Sequence, residues 1–266
     1  MSKEATNGSR ASARLLGISR STLWYQKKKP DRDWALKVRI EETLRTFPSY
    51  GYRGVALHLD ENKKKVQRVM RLFGIKAYRR RTRRWKKPRK QAVEYPNLLM
   101  RIVPAYRHHA WVADFTHLAW RDKDVRMATV MDVYTRDIVG VAVGTRGGTI
   151  LVTAALGNAL LAHPRPLFFH SNNGVEYNAR SFRTFLENTG ISISRSKKGC
   201  PWENGYQESF YGKFKVEFGD PNRFGTLGEL VAEVYQHIHR YNTLRIHSAL
   251  KMAPRVFAKQ HAHATL

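Results

Sequence analysis

Cysteine is almost absent: the 266 residues contain one, Cys200. A single thiol excludes a disulfide framework and a Cys-rich zinc site. It fits a reducing, cytoplasmic setting in which the thiol is structural or incidental. Long apolar runs are missing too. No stretch approaches the roughly 18 residues of a membrane-spanning helix, and the opening MSKEATNGSR lacks a signal-peptide apolar region. Acidic residues are scarce, with 21 Asp and Glu against 48 Lys and Arg and a formal net charge of +27. So large an imbalance points to a polyanion partner rather than to a solvated face alone, because cations on phosphates release condensed counterions.

The charge is uneven. Residues 1–100 hold 27 Lys and Arg against 8 Asp and Glu, whereas the remaining 166 residues hold 21 against 13. Within the front, ASARLLGISRSTLWYQKKK (11–29) reads as helix, turn, helix. Leu15, Leu16 and Ile18 flank Gly17, and Ser19 is placed to cap the second helix. Residues 34–46 have helical apolar spacing. After the PSYGY turn, RGVALHL and KKKVQRVMRLFGI predict two more helices, the last ending at Gly74. That last helix carries Lys63, Lys64, Lys65, Arg68 and Arg71 beside an apolar face of Val66, Val69, Met70 and Phe73. Helix-turn-helix modules place such a helix on DNA; a small bundle with a solvated basic face is the alternative. YRRRTRRWKKPRK (78–90) is basic at 9 of 13 positions, including Arg79, Arg80, Arg81, Arg83, Arg84, Lys86 and Lys87. It reads as a linker that tracks phosphates, or as a nonspecific basic tail.

From about residue 108 the texture changes. HAWVADFTHLAW, RMATVMDVYT and DIVGVAVGT are strand-like and separated by short polar turns. Residues 149–163 predict a helix, 166–171 (PLFFHS) a buried strand, SFRTFLENTG a helix closed by Gly190, and ISISRS a short strand. Residues 202–218 and 226–242 predict two further helices. Three successive strands followed by alternating helix and strand imply an α/β fold, a mixed sheet with helices on its faces. The chain divides into 1–30 and 31–77 (helical), 78–105 (basic linker), 106–220 (α/β core) and 221–266 (a C-terminal helical extension).

Asp114 lies inside an apolar strand, where a charge is rare unless paired or metal-bound; a strand-end aspartate capping a turn is the plainer reading. Glu208 sits in mid-helix and alone would be an ordinary solvated residue. Asn204 and Lys215, at i−4 and i+7, share its face. Thirty-five residues separate Glu208 from position 172, in HSNNGVEY (170–177).

With these pieces together, the chain resembles insertion-sequence transposases of the DDE integrase superfamily, and more narrowly the second reading-frame product of the insertion-sequence-three family. The likeness is carried by WVADFT (111–116), HSNNGVEY, ENGYQESFYGKFKVE (203–217) and YNTLRIHSALKMAP (241–254). In the front half it is carried by SRASARLLGISRSTLWY and YGYRGVALHL. It covers residues 9–258. It implies an RNase H-like integrase catalytic core preceded by helix-turn-helix DNA-binding segments. It also implies a two-metal Mg²⁺ site, with Mn²⁺ as a substitute, and phosphodiester hydrolysis followed by strand transfer. The implied partners are double-stranded DNA, a second copy of the chain and an upstream-frame protein, all in the bacterial cytoplasm at the nucleoid. Asp114 matches the first acidic ligand and Glu208 the third. Position 172 matches the second, an aspartate in the family, and here it is Asn172.

Two Mg²⁺ ions about 4 Å apart want hard, charged oxygens. An amide keeps a carbonyl oxygen and loses the charge, so activity is expected to fall steeply. Glu176, past a glycine turn, is not expected to substitute. The otherwise intact motifs favour a deliberate inactivating change over a natural degenerate or domesticated copy. Lys215 is placed to hold a terminal phosphate, or is a solvated lysine. Asn204 orients the helix start or the DNA end, or caps the helix. His170 and His117 read as structural, and Trp111, Trp120 and Trp202 as core or ledge packing rather than base-stacking platforms. Arg245 and His247 match family positions without a derivable role.

Overall fold

The three strand-like segments form an antiparallel run, β1 (Ala110–Trp120), β2 (Lys123–Asp132) and β3 (Ile138–Gly144). They come from a computed structural model that describes residues 11–19, 22, 29–78, 95–197 and 200–262. Helix α4 (Thr149–Ala162) leads to β4 (Phe168–Ser171), which runs parallel to β1. The short α5 (Val175–Asn178) and α6 (Arg180–Asn188) follow, then β5 (Ser192–Arg195), parallel to β4. The five-stranded order is β3-β2-β1-β4-β5. Helices make both crossings: β3 to β4 passes over β2 and β1, and β4 to β5 joins parallel neighbours that no tight turn can connect.

Alternation along β1 divides the core between the two sheet faces. Ala110 and Val112 point to a cluster with α7 (Gly205–Phe218) and α8 (Leu227–Thr243), including Phe210, Phe214 and Val234. Trp111 and Ala113 point to the opposite cluster, with Leu156 of α4 and Phe182 of α6. On that face, a Cβ at Gly140 would lie 2.3 Å from the carbonyl oxygen of Ala155, so only glycine lets α4 approach β3 this closely.

Three front helices precede α4 in the chain, αA (Lys29–Thr46), αB (Tyr52–Leu59) and αC (Lys63–Leu72), and close a third core around Ile40, Val55, Val66 and Val69. The Asn62 side chain caps αC by accepting from the Lys64 amide at 2.9 Å. Residues 11–15 are helical and turn through Gly17 at φ +62. The second helix expected there lies almost wholly outside the described residues, as do Arg79, Arg80, Arg81, Arg83, Arg84, Lys86 and Lys87. A last helix, α9 (Pro254–Gln260), follows the 241–254 motif. No helix among the described residues is long and apolar enough to cross a membrane.

Candidate active site

The parallel β1–β4 ladder builds the site. Its last paired residues are Val112 and His170. Two residues beyond this pair stand Asp114, still within β1, and Asn172, just past the end of β4. The Asn172 Nδ2 donates to Asp114 Oδ1 at 3.1 Å. Asn172 Oδ1 accepts from the Gly174 amide at 2.8 Å, a local turn that fixes which end of the amide faces Asp114. A Cβ on Gly174 would lie 2.8 Å from Asn172 Oδ1 and 2.7 Å from Glu176 Oε2, so the Glu176 carboxylate folds back beside the amide.

Helix α7 is fastened across β1 by side chains. Gln207 Nε2 donates to the carbonyls of Val112 (2.8 Å) and Thr129 (3.2 Å), and its Oε1 accepts from the Thr129 hydroxyl at 3.0 Å. Tyr211 donates to the Asp114 carbonyl at 2.6 Å. These contacts hold the helix turn that carries Glu208 against the site.

Burial pushes the Asp114 carboxyl up to about 7. Its bond from the Phe115 amide works against this, the negative charges of Glu208 and Glu176 add to it, and the Lys215 charge opposes it. Burial also raises Glu208. Asp114 therefore feels two carboxylates and one ammonium, the field of a cation site.

The donor set matches a divalent cation only in part. Asp114 and Glu208 are hard oxygen donors. At position 172, however, the N–H end of the amide faces Asp114 and the carbonyl oxygen is engaged by Gly174. Among the described residues no three His, Cys, Asp or Glu side chains converge as a metal cage. The site does not fit a two-metal centre with three charged ligands.

The other expected site residues separate. Asn204 is 3% exposed and donates to the Ala113 carbonyl at 3.2 Å, without capping α7. At the N-cap position of α7 its side chain thus ties the helix start to β1 instead of making a cap bond. Lys215 lies on the Glu208 side of α7 and lines a groove of about 680 Å³ with His117, Tyr78 and Asn222. Lys63, Lys64, Lys65, Arg68 and Arg71 are all exposed on αC. Two of them are already paired. Arg68 makes a two-pronged bridge to Asp33 at 2.5 and 2.6 Å, and Lys65 meets Glu61 at 2.9 Å.

His170 is buried and hydrogen-bonds the Ser194 hydroxyl at 2.8 Å, while His117 pairs with Asp124 at 2.7 Å. Trp111 and Trp120 are buried, whereas Trp202 is 55% exposed. Gln207 and Tyr211 escaped the sequence reading, since a polar residue on a buried helix face shows its partner only in three dimensions.

The sheet order, with an acid on β1 beside the end of β4 and a second acid on a late helix, defines an RNase H-like integrase core. An integrase core domain model matches residues 105–201, and a second integrase core domain model matches 189–254. The chain is 31% identical over 264 residues to an uncharacterized 31 kDa protein of insertion element IS600 from Shigella sonnei, covering 93% of this chain and 97% of that one. It is 32% identical over 252 residues to the putative transposase InsK for insertion sequence element IS150 of Escherichia coli (strain K12), covering 90% and 88%. Among solved structures it is similar to a simian T-cell lymphotropic virus intasome in complex with PP2A regulatory subunit B56 gamma. The TM-score is 0.52 at 15% identity, covering 81% of this chain and 73% of that chain, a likeness of fold alone. The chain belongs to the insertion-sequence transposases of the DDE integrase-core superfamily.

Proposed function

We propose that the chain is a DNA transposase, a DDE-type polynucleotidyl transferase, that is catalytically impaired by Asn172. One observation carries the reading: Asp114 and the residue at 172 stand 3.1 Å apart at the open end of the β1–β4 pair, with α7 presenting Glu208 to the same place. In the family's chemistry a divalent cation, Mg²⁺ with Mn²⁺ as a substitute, supplies the charge that activates water and stabilises the phosphodiester transition state. In this chain Asp114 and Glu208 would hold such an ion and Asn172 would add no charge. Lys215 would steady a terminal phosphate, and α7, pinned by Gln207 and Tyr211, would keep Glu208 in place.

The division of labour follows the charge. Segments 1–30 and 31–77 and the basic linker 78–105 bind double-stranded DNA ends, 106–220 performs the chemistry, and 221–266 extends the core. Pairing two ends calls for a dimer or higher oligomer, with an upstream-frame protein as a further partner, at the bacterial nucleoid in the cytoplasm.

The hydrogen bond from the Asn172 amide to Asp114 favours a second reading, a non-catalytic DNA-binding regulator or domesticated transposase. The test is a labelled duplex carrying the element end, incubated with Mg²⁺ or Mn²⁺ and either the chain or its Asn172→Asp variant. Cutting and joining by the variant alone supports an impaired transposase. Binding by both without reaction from either supports the regulator. Cutting without joining would point instead to a nuclease.

A further inference from the structure

We propose that a second pocket, on the side of α7 turned away from Glu208, binds a nucleoside phosphate. The pocket measures about 430 Å³ and is lined by Arg136, Lys213 and His247 together with Trp202, Tyr206 and Met100. That volume lies within the range of small-ligand sites. Tyr206, Phe210 and Lys213 follow i, i+4, i+7 along one stripe of α7, whereas Glu208 and Lys215 occupy the opposite stripe. Neither Asp114 nor Glu208 lines this pocket, so the inference stands apart from the catalytic reading.

The cations are not balanced. Arg136 Nε and Nη1 are buried and have no hydrogen-bond partner, although a guanidinium is a permanent cation with five donors. Its plane lies 4.1 Å over the Tyr206 ring, which occupies a face and leaves the donor edge unmet. Arg136 takes φ +62, a left-handed conformation that a residue with a Cβ adopts only when its surroundings impose it. They do so here: Asp132 Oδ1 accepts from the amide and hydroxyl of Thr135, both at 2.7 Å, and the Arg136 amide closes the turn on the Asp132 carbonyl at 2.9 Å. Lys213 makes no hydrogen bond or ion pair among the described residues. Burial lowers its ammonium to about 8, with the Arg245 charge adding to the effect, Glu217 opposing it and Arg136 adding a little more.

Of the nearby carboxylates only Glu203 lines the pocket, and its Oε2 is turned to donors outside the lining. Glu203 accepts from Asn97 Nδ2 at 2.8 Å and the Lys197 amide at 2.7 Å. Glu217 is held by Arg245 at 3.0 Å, and Asp137 faces Arg107 and Arg255, each at 3.7 Å. An anion with several acceptor oxygens would satisfy what remains. Phosphate alone would leave the apolar rim unused, where Trp202 is 55% and Met100 72% exposed. A base stacked on that rim, with its phosphate on Arg136 and Lys213, uses both halves of the pocket.

The test titrates the full chain calorimetrically with deoxyadenosine monophosphate, deoxyadenosine and inorganic phosphate. A short single-stranded oligonucleotide is then added as competitor against labelled monophosphate, so that other basic surfaces do not contribute. The monophosphate is expected to bind more tightly than either fragment and to weaken about tenfold or more in Lys213→Gln and in Arg136→Gln. Trp202→Ala should weaken the monophosphate and leave phosphate unchanged. Lys213→Gln serves where Arg136→Gln disturbs the β2–β3 turn, and melting temperatures report on folding. Displacement by the oligonucleotide assigns the ligand to a DNA strand; binding without displacement assigns it to a free nucleotide. Monophosphate binding that is absent, insensitive to Lys213→Gln, or no tighter than inorganic phosphate overturns the proposal.

Discussion

Asn172 Nδ2 donates to Asp114 Oδ1 at 3.1 Å, so an amide hydrogen bond occupies the place where two carboxylates would otherwise face each other. Like charges at this separation cannot both ionise cheaply. The Asn172→Asp variant should therefore lose stability without a divalent cation, by about 1–3 kcal/mol. It should regain that stability on adding Mg²⁺, because a ligand that binds only the folded state raises the melting temperature. The unsubstituted chain should respond to Mg²⁺ much less. Thermal melts of both proteins in EDTA and in millimolar Mg²⁺ decide it; equal Mg²⁺ responses in the two would show that the charge at 172 is not what the cation senses.

Asp114 should also leave a mark on the pH dependence of stability. Its carboxyl is pushed up to about 7, by burial first, from an unfolded value near 3.9. The folded state thus holds a proton that the unfolded state releases. The stabilisation this gives is fully present below about pH 4 and is lost as pH rises through about 7. Asp114→Asn removes the titration. The stability of the parent relative to this variant should fall by about 2–4 kcal/mol between pH 4 and pH 8, since a proton held only by the folded state changes stability by about 1.4 kcal/mol for each pH step of one. Chemical denaturation at several pH values without divalent ions measures the difference, and a flat difference would place Asp114 in contact with solvent.

The sheet was legible because its strands alternate or run apolar throughout, and the long α8 because its apolar spacing repeats over several turns. Element ends were less so. The strand expected from Pro166 begins at Phe168, since proline has no amide for the ladder. The helix expected from Trp202 begins at Gly205, because Pro201–Asn204 winds as a 3₁₀ turn. The helix expected from Trp34 begins at Lys29: its polar first turn gives no apolar period. Asp114 and Glu208 were legible through their motifs. The partners of Arg245 were not, because Ser49 and Glu217 meet only in the folded chain, 168 residues apart in sequence.

That meeting ties the front helices to the core. The Glu217 carboxylate accepts from the Ser49 hydroxyl and from Arg245 Nε at 3.0 and 3.1 Å, and Arg245 Nη2 reaches Ser49 Oγ at 2.9 Å. The Tyr50 hydroxyl accepts from the Ile246 amide at 2.7 Å beside them. The Glu217 and Arg245 side chains are only 4% and 5% exposed. Removing one partner leaves a buried charge unpaired, which costs about 3–5 kcal/mol. Glu217→Ala should lower stability by that order and expose the front helices to limited proteolysis before the core. Ser49→Ala, which removes one neutral donor, should cost about 1 kcal/mol. Equal losses in the two variants would mean that packing, not the ion pair, holds the segments together.

On αC, pairing within the protein sorts the basic residues. Arg68 is held by Asp33, while Lys63, Lys64 and Arg71 are exposed and make no ion pair among the described residues. A phosphate contact releases a counterion and adds about 0.9 to the slope of log affinity against log salt. Combined Lys63→Ala, Lys64→Ala and Arg71→Ala substitution should therefore flatten that slope by up to about 2.7, equally for element ends and for random duplex, since phosphate contacts carry no sequence information. Arg68→Ala should leave the slope unchanged and lower the melting temperature instead, because it leaves Asp33, 5% exposed, without its two-pronged partner. Fluorescence anisotropy over a salt series separates the outcomes. A flattened slope in Arg68→Ala would show that Arg68 leaves Asp33 for phosphate on binding, and an unchanged slope in the triple variant would remove αC from the DNA surface.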